Sequence, residues 1–102
     1  MRIITYAALR QFGTKNPTTM PAIAAWYKIA RSKEVVWRKP QDVVHTFGRR
    51  VDILKNDRVC IDLAGTNVRM VLKVEYALGM VFVRWIGWHK DYDLLGEKIH
   101  TL

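Results

Sequence analysis

Apolar positions recur at two periods along the chain, and the change from one to the other falls near residue 50. The first third is helical in spacing. Tyr6, Leu9 and Phe12 stand three apart, and Gly13 followed by Asn16-Pro17 stops the run. Thr18-Thr19 can cap a second helix with Pro21 in its first turn. Ile23, Trp26, Tyr27 and Ala30 then follow at i, i+3, i+4, i+7, which makes one apolar stripe, with Lys28, Arg31 and Lys33 lying off it. Trp37 and the run from Lys39 to Val44 predict a turn and a short helix that ends near Phe47-Gly48.

Beyond residue 50 the period becomes two. Val51 to Leu54 is a short strand candidate, and Val59, Ile61 and Leu63 alternate with Arg58, Cys60 and Asp62. Ala64-Gly65-Thr66-Asn67 is turn material. Val68, Met70, Leu72, Val74 and Tyr76 alternate with Asn67, Arg69, Val71, Lys73 and Glu75 in the clearest strand of the chain. Met80 to Ile86 is apolar on both faces except at Arg84, as in a central strand, and His89 to Leu95 reads as a short helix or structured turn. Helices followed by a meander predict one α+β domain over residues 1–102, with two N-terminal helices packed on a small antiparallel sheet of three to five strands and the tail crossing a sheet edge. The helices would cover Val68, Met70, Leu72 and Val74, together with Val81, Val83 and Trp85. Strand parity then places Arg69, Lys73 and Arg84, with Arg58 alongside, in a basic patch on an open sheet face.

Composition narrows the classes. The 102 residues are 50% hydrophobic and 25% charged, enough for one core and against disorder. No apolar run approaches the ~20 residues of a membrane span. The start lacks a secretory h-region, and the one cysteine, Cys60, cannot close an internal disulfide, so a cytosolic protein is expected. Net charge is +8, and it is uneven: residues 1–33 carry Arg2, Arg10, Lys15, Lys28, Arg31 and Lys33 with no acid. Such a field favours a polyanion or an acidic partner protein.

Common catalytic signatures are missing: there is no Gly-rich phosphate loop and no Gly-x-Ser-x-Gly elbow. His45, His89 and His100 have no ligand spacing, so neither a metal nor another cofactor is expected. What remains is His89-Lys90-Asp91-Tyr92-Asp93 beside the basic patch. An imidazole that exchanges protons near neutrality, with arginines that grip phosphate oxygens, suits cleavage of an RNA strand through its 2′-hydroxyl. Other readings of the same residues stay open at this point. His89 can serve as a hydrogen-bonding residue of the C-terminal turn, Tyr92 can pack back on the sheet, and Arg84 can pair with Glu75 or Asp62. Trp26, Trp37 and Trp85 suit a core, Trp88 either a core or a stacking surface, and Cys60 a small buried filler.

The segments Met1-Arg2-Ile3-Ile4, Ala25-Trp26-Tyr27, Trp37 with Lys39-Pro40, Asp62 to Val71 and Val81 to Asp93 resemble, in order and spacing, the HigB-type toxins of bacterial type II toxin–antitoxin modules. The most specific pieces are Gly-x-x-x-Arg, here Gly65 to Arg69, and Gly-x-His-x-x-Tyr-Asp, here Gly87 to Asp93. The resemblance implies a RelE-like fold and an mRNA interferase that acts on translating 70S ribosomes and is silenced by a HigA-like cognate antitoxin. It also implies Arg69 and Arg84 on the scissile phosphate, His89 as acid or base, Tyr92 stacking or relaying protons, and Asp93 orienting. Lys73, Lys90, Arg58 and Trp88 would contact substrate. Two other functions compete: a toxin of related fold that poisons DNA gyrase, and a non-enzymatic RNA- or ribosome-binding module. Mapping mRNA 5′ ends after brief expression separates all three.

Overall fold

A computed structural model describes all residues, 1–102. It is an α+β domain with β1 (Arg2–Ile4), α1 (Tyr6–Lys15), α2 (Met20–Ala30), α3 (Pro40–Phe47), β2 (Val51–Ile53), β3 (Arg58–Asp62), β4 (Val68–Glu75), β5 (Met80–Trp88) and α4 (His89–Asp93). The strands form one sheet in the order β1-β5-β4-β3-β2. No helix is long and apolar enough to cross a membrane.

Three of the sequence expectations need correction. The sheet is mixed: β1, too short to show a period, pairs in parallel with β5 through Ile3↔Val81 and Ile4↔Phe82. Where that ladder ends, the Thr5 hydroxyl takes over, accepting the Val83 amide at 3.1 Å and donating to the Val83 carbonyl at the same distance. Thr5 holds this position with φ 67°, a strained conformation for a β-branched residue. Thr5→Val is expected to leave the half-satisfied Val83 amide without its partner. The expected cost is about 1–3 kcal/mol, measured by denaturant unfolding; an unchanged midpoint would mean that water replaces the hydroxyl.

The second correction concerns Trp85. Between β4 and β5 the register runs Val71↔Trp85 and then Leu72↔Val83, so Arg84 is an extra, bulged residue. The bulge reverses parity in the rest of β5. Val81 and Val83 join the helix-side core with Leu9, Ile23, Trp26 and Ala30, whereas Trp85 lies on the opposite face with Val71 and Cys60. Gly87 follows Trp85 because a Cβ there would stand 2.6 Å from the indole ring.

The third is that the far face is not open. Tyr92, Leu95, Ile99 and Leu102 pack on Cys60, Val71 and Trp85, so the C-terminal segment covers the face rather than crossing an edge. The alternation in β4 holds throughout: Val68, Met70, Leu72 and Val74 are buried beneath the helices. Trp26 and Trp37 are core, and the Trp37 indole N–H donates to the Thr46 hydroxyl at 2.9 Å. Thr19 precedes α2 within a 3₁₀ turn, and its hydroxyl donates back to the Asn16 carbonyl instead of capping the helix.

Candidate active site

The β3–β4 hairpin and the end of β5 bring the two sequence motifs together. Gly65, at φ 72°, turns the chain after β3. From there the register sets Asp62↔Arg69 on one side of β4 and Arg69↔Gly87 and Val68↔Trp88 on the other. The ladder extends one step further, since the His89 amide donates to the Asn67 carbonyl at 2.7 Å. His89 therefore starts α4 beside the hairpin turn.

An open depression of about 640 Å³ lies there, lined by Asn67, Trp88, His89, Lys90 and Asp93. The His89 side chain is 47% exposed, and its Nδ1 lies 3.1 Å from the Asp93 carboxylate one helical turn on. Donation from Nδ1–H to that carboxylate leaves Nε2 with a free lone pair, the tautomer a general base needs. Trp88 stands on the helix side, 5.4 Å from Phe12 between ring centroids, so its indole is both a packing element and a cleft wall.

Arg69 borders this cleft without lining it. Its Nε lies 2.5 Å from Asp62 Oδ1, an ion pair without a well-aligned hydrogen bond, and its Cζ sits 4.9 Å from the centroid of the Tyr92 ring. Asp62 takes the Nε side of the guanidinium, which leaves the terminal amino groups for an incoming anion. Tyr92 is buried between Arg69 and Trp85, with the Trp85 ring at 6.0 Å, and its hydroxyl meets the Cys60 thiol. In this conformation its ring orders Arg69 and leaves no face for a substrate base.

The expected single basic patch is divided. Lys73 and Arg58 pair with each other in the β3–β4 register, about 13 Å along the strand from Arg69. Lys73 is 2.9 Å from Glu75. Arg58 donates to the backbone oxygen of Leu102 at 3.1 and 2.7 Å and to that of Asn56 at 2.9 Å, which ties the C-terminal segment to β3. Arg84 is exposed in the bulge and pairs with neither Glu75 nor Asp62. The motif reading missed Asn67 and Asp62 as site residues. The signal for both is the register opposite His89 and Arg69, which no single strand carries.

Burial of the thiol and phenols has a measurable consequence. Desolvation pushes Cys60 up from 9.0 to about 11 and Tyr76 from 10.0 to about 12, and raises Tyr92 as well. Below about pH 8 these groups are largely neutral in folded and unfolded chains alike. As pH rises through 9–12 the unfolded chain loses protons that the folded chain keeps, so unfolding becomes more favourable. The melting temperature is expected to be insensitive to these groups up to about pH 8 and to fall steadily above pH 9, and Cys60 should alkylate at pH 8 only in denaturant, where the thiol is exposed and its thiolate is populated. Rapid alkylation of the native chain would show that the Tyr92 lid opens.

A comparison with curated proteins finds no match. The family model for the HigB toxin, the RelE-like toxic component of a toxin–antitoxin system, matches residues 19–95. That span runs from the start of α2 to just beyond α4 and contains the hairpin, Arg69 and the whole cleft. The chain belongs to the HigB toxin family, whose members are the RelE-like toxic halves of toxin–antitoxin systems.

Proposed function

We propose that this toxin is an endoribonuclease that cleaves mRNA on translating ribosomes. The observation that carries the reading is the His89–Asp93 pair in an open cleft, two ladder steps from the Arg69↔Gly87 pair. In the proposed reaction His89 Nε2 takes the proton of an RNA 2′-hydroxyl. The 2′-oxygen attacks the adjacent phosphorus, the bond to the 5′-oxygen breaks, and that oxygen takes a proton from solvent, to which His89 afterwards releases the one it took. The products carry a 2′,3′-cyclic phosphate and a 5′-hydroxyl. Arg69 stabilises the charge on the phosphorane oxygens, with Arg84 as a further source of positive field. Lys90 contacts the neighbouring phosphate, Trp88 and Asn67 meet the flanking base, and Asp93 fixes the imidazole tautomer. The exposed cations of α1, Arg10 and Lys15, would dock on rRNA, where phosphates set orientation without specifying sequence. No group of three His, Cys, Asp or Glu side chains is placed to hold a metal ion, and none is assigned a role in the reaction.

Family membership makes the partner an antitoxin, and we place its gene beside that of the toxin. The deciding experiment is brief expression followed by mapping of mRNA 5′ ends. New 5′-hydroxyl ends within translated frames are expected. Growth arrest with intact mRNA and broken DNA would instead favour gyrase poisoning, and arrest with neither would favour a binding module.

A further inference from the structure

Away from the cleft, α2 and the end of β3 enclose a second concavity of about 120 Å³. Its wall is apolar: Ala22, Ala25, Trp26 and Ile29 from α2, Phe47 from α3 and Leu63 after β3. Ile29 is 44% exposed there, in the last turn of a helix whose other side is core. Ala25 and Ile29 also border a shallower depression with Lys28, Ser32 and Val35, so the apolar track continues along α2. Alanines on this side let another backbone approach closely. The eleven residues of α2 present about 16 Å of track, the length of a three-turn helix.

Charge selects the occupant. Arg50 forms part of the groove, Arg49 lines the adjoining hollow with it, and Lys28 on α2 and Arg31 at its C-cap are exposed. The ion pairs of the chain involve Arg69, Lys73, His89 and His100, so these rim cations have no internal acid. Asp62, the acid of the groove, is already matched by Arg69. We propose that this groove is the docking site for an acidic amphipathic helix of the antitoxin. The apolar face of that helix would insert beside Ile29, and its carboxylates would meet Arg49, Arg50 and Lys28. A phosphate backbone would satisfy the cations but leave the apolar floor wet, so a protein helix fits better than RNA. The groove and the catalytic cleft share no lining residue, since the hairpin turn at 64–67 separates them.

The proposal rests on the partner reading above, and one experiment separates the two. The purified chain is titrated with the product of the adjacent antitoxin gene, in low and high salt. Ile29→Glu and Ala25→Glu are expected to weaken binding by about 30-fold or more, as loss of a central anchor does. Arg49→Glu with Arg50→Glu should weaken it less and flatten its salt dependence, while His89→Ala binds as the wild type does. Helical circular dichroism and melting confirm that each variant folds; all four positions are exposed. Wild-type affinity in the folded Ile29 and Ala25 variants overturns the groove assignment while leaving the partner reading intact. A loss of rRNA binding in place of antitoxin binding, or dissolution of a self-dimer, also overturns it. Absence of any complex with the wild-type chain overturns the groove and the partner together.

Discussion

A His89→Gln chain is expected to fold, to melt close to the wild type and to bind antitoxin, yet to cleave mRNA about 10²–10⁴-fold more slowly. The structural cost is small because the imidazole is half exposed and its Asp93 contact is a surface pair across one helical turn. The backbone link from His89 to the Asn67 carbonyl does not depend on the side chain. What the substitution removes is the Nε2 lone pair and, with it, the dependence of the rate on imidazole protonation. A pH series therefore distinguishes a base from a scaffold: the rising limb of the wild-type profile disappears in the variant. Asp93→Asn supplies a second readout. Its amide can donate to Nδ1 and drive the proton to Nε2, so activity should fall although the shape is kept. Growth arrest and 5′-end mapping at the wild-type level in His89→Gln would make His89 a structural residue of α4.

How far the sequence could anticipate this arrangement depended on how clearly each segment declared its phase. In β4 the alternation is unambiguous, and Val68, Met70, Leu72 and Val74 lie beneath the helices as expected. Met80 to Ile86 is apolar on both faces and so carries no phase of its own. One extra residue at Arg84 was enough to move Trp85 to the other side of the sheet. The three residues of β1 show no period at all, and their parallel pairing is a tertiary event. Arg69 and His89 stand out as candidates in the sequence because each holds a fixed place in a spaced motif, Arg69 at the end of one and His89 inside the other. Asp62 and Asn67 join them only through cross-strand register, and the 3₁₀ turn at Tyr76–Leu78 that sets the β4–β5 offset leaves no two-residue hairpin signature. For Tyr92 the residues leave two readings open, a substrate-facing ring or one packed back on the sheet. In the fold its ring completes a small apolar cluster with Cys60 and Val71, residues distant along the chain, a contact that local pattern cannot contain.

Arg69→Ala should then lower cleavage by about 10²–10³-fold, equivalent to about 2.7–4 kcal/mol of transition-state stabilisation, through loss of a charged donor beside the phosphorane. The fold should tolerate the change. Asp62, left without its partner, is 42% exposed and can be solvated, while the buried Tyr92 ring loses a largely desolvated cation worth about 2 kcal/mol. Arg69→Lys keeps the charge but not the planar group that lies over the ring and faces two oxygens at once, so it should recover only part of the rate. Arg84 is the control. It is exposed in the bulge without an ion pair, and its removal takes away field without removing a donor held by Asp62 and Tyr92. Arg84→Ala is therefore expected to cost under about tenfold at physiological salt, where exposed charges are screened. Single-turnover cleavage on programmed ribosomes measures both variants under one condition. Equal losses at the two positions would mean that the sheet acts through its summed charge. A large loss at Arg69 alone would mean that one ordered guanidinium meets the reacting phosphate.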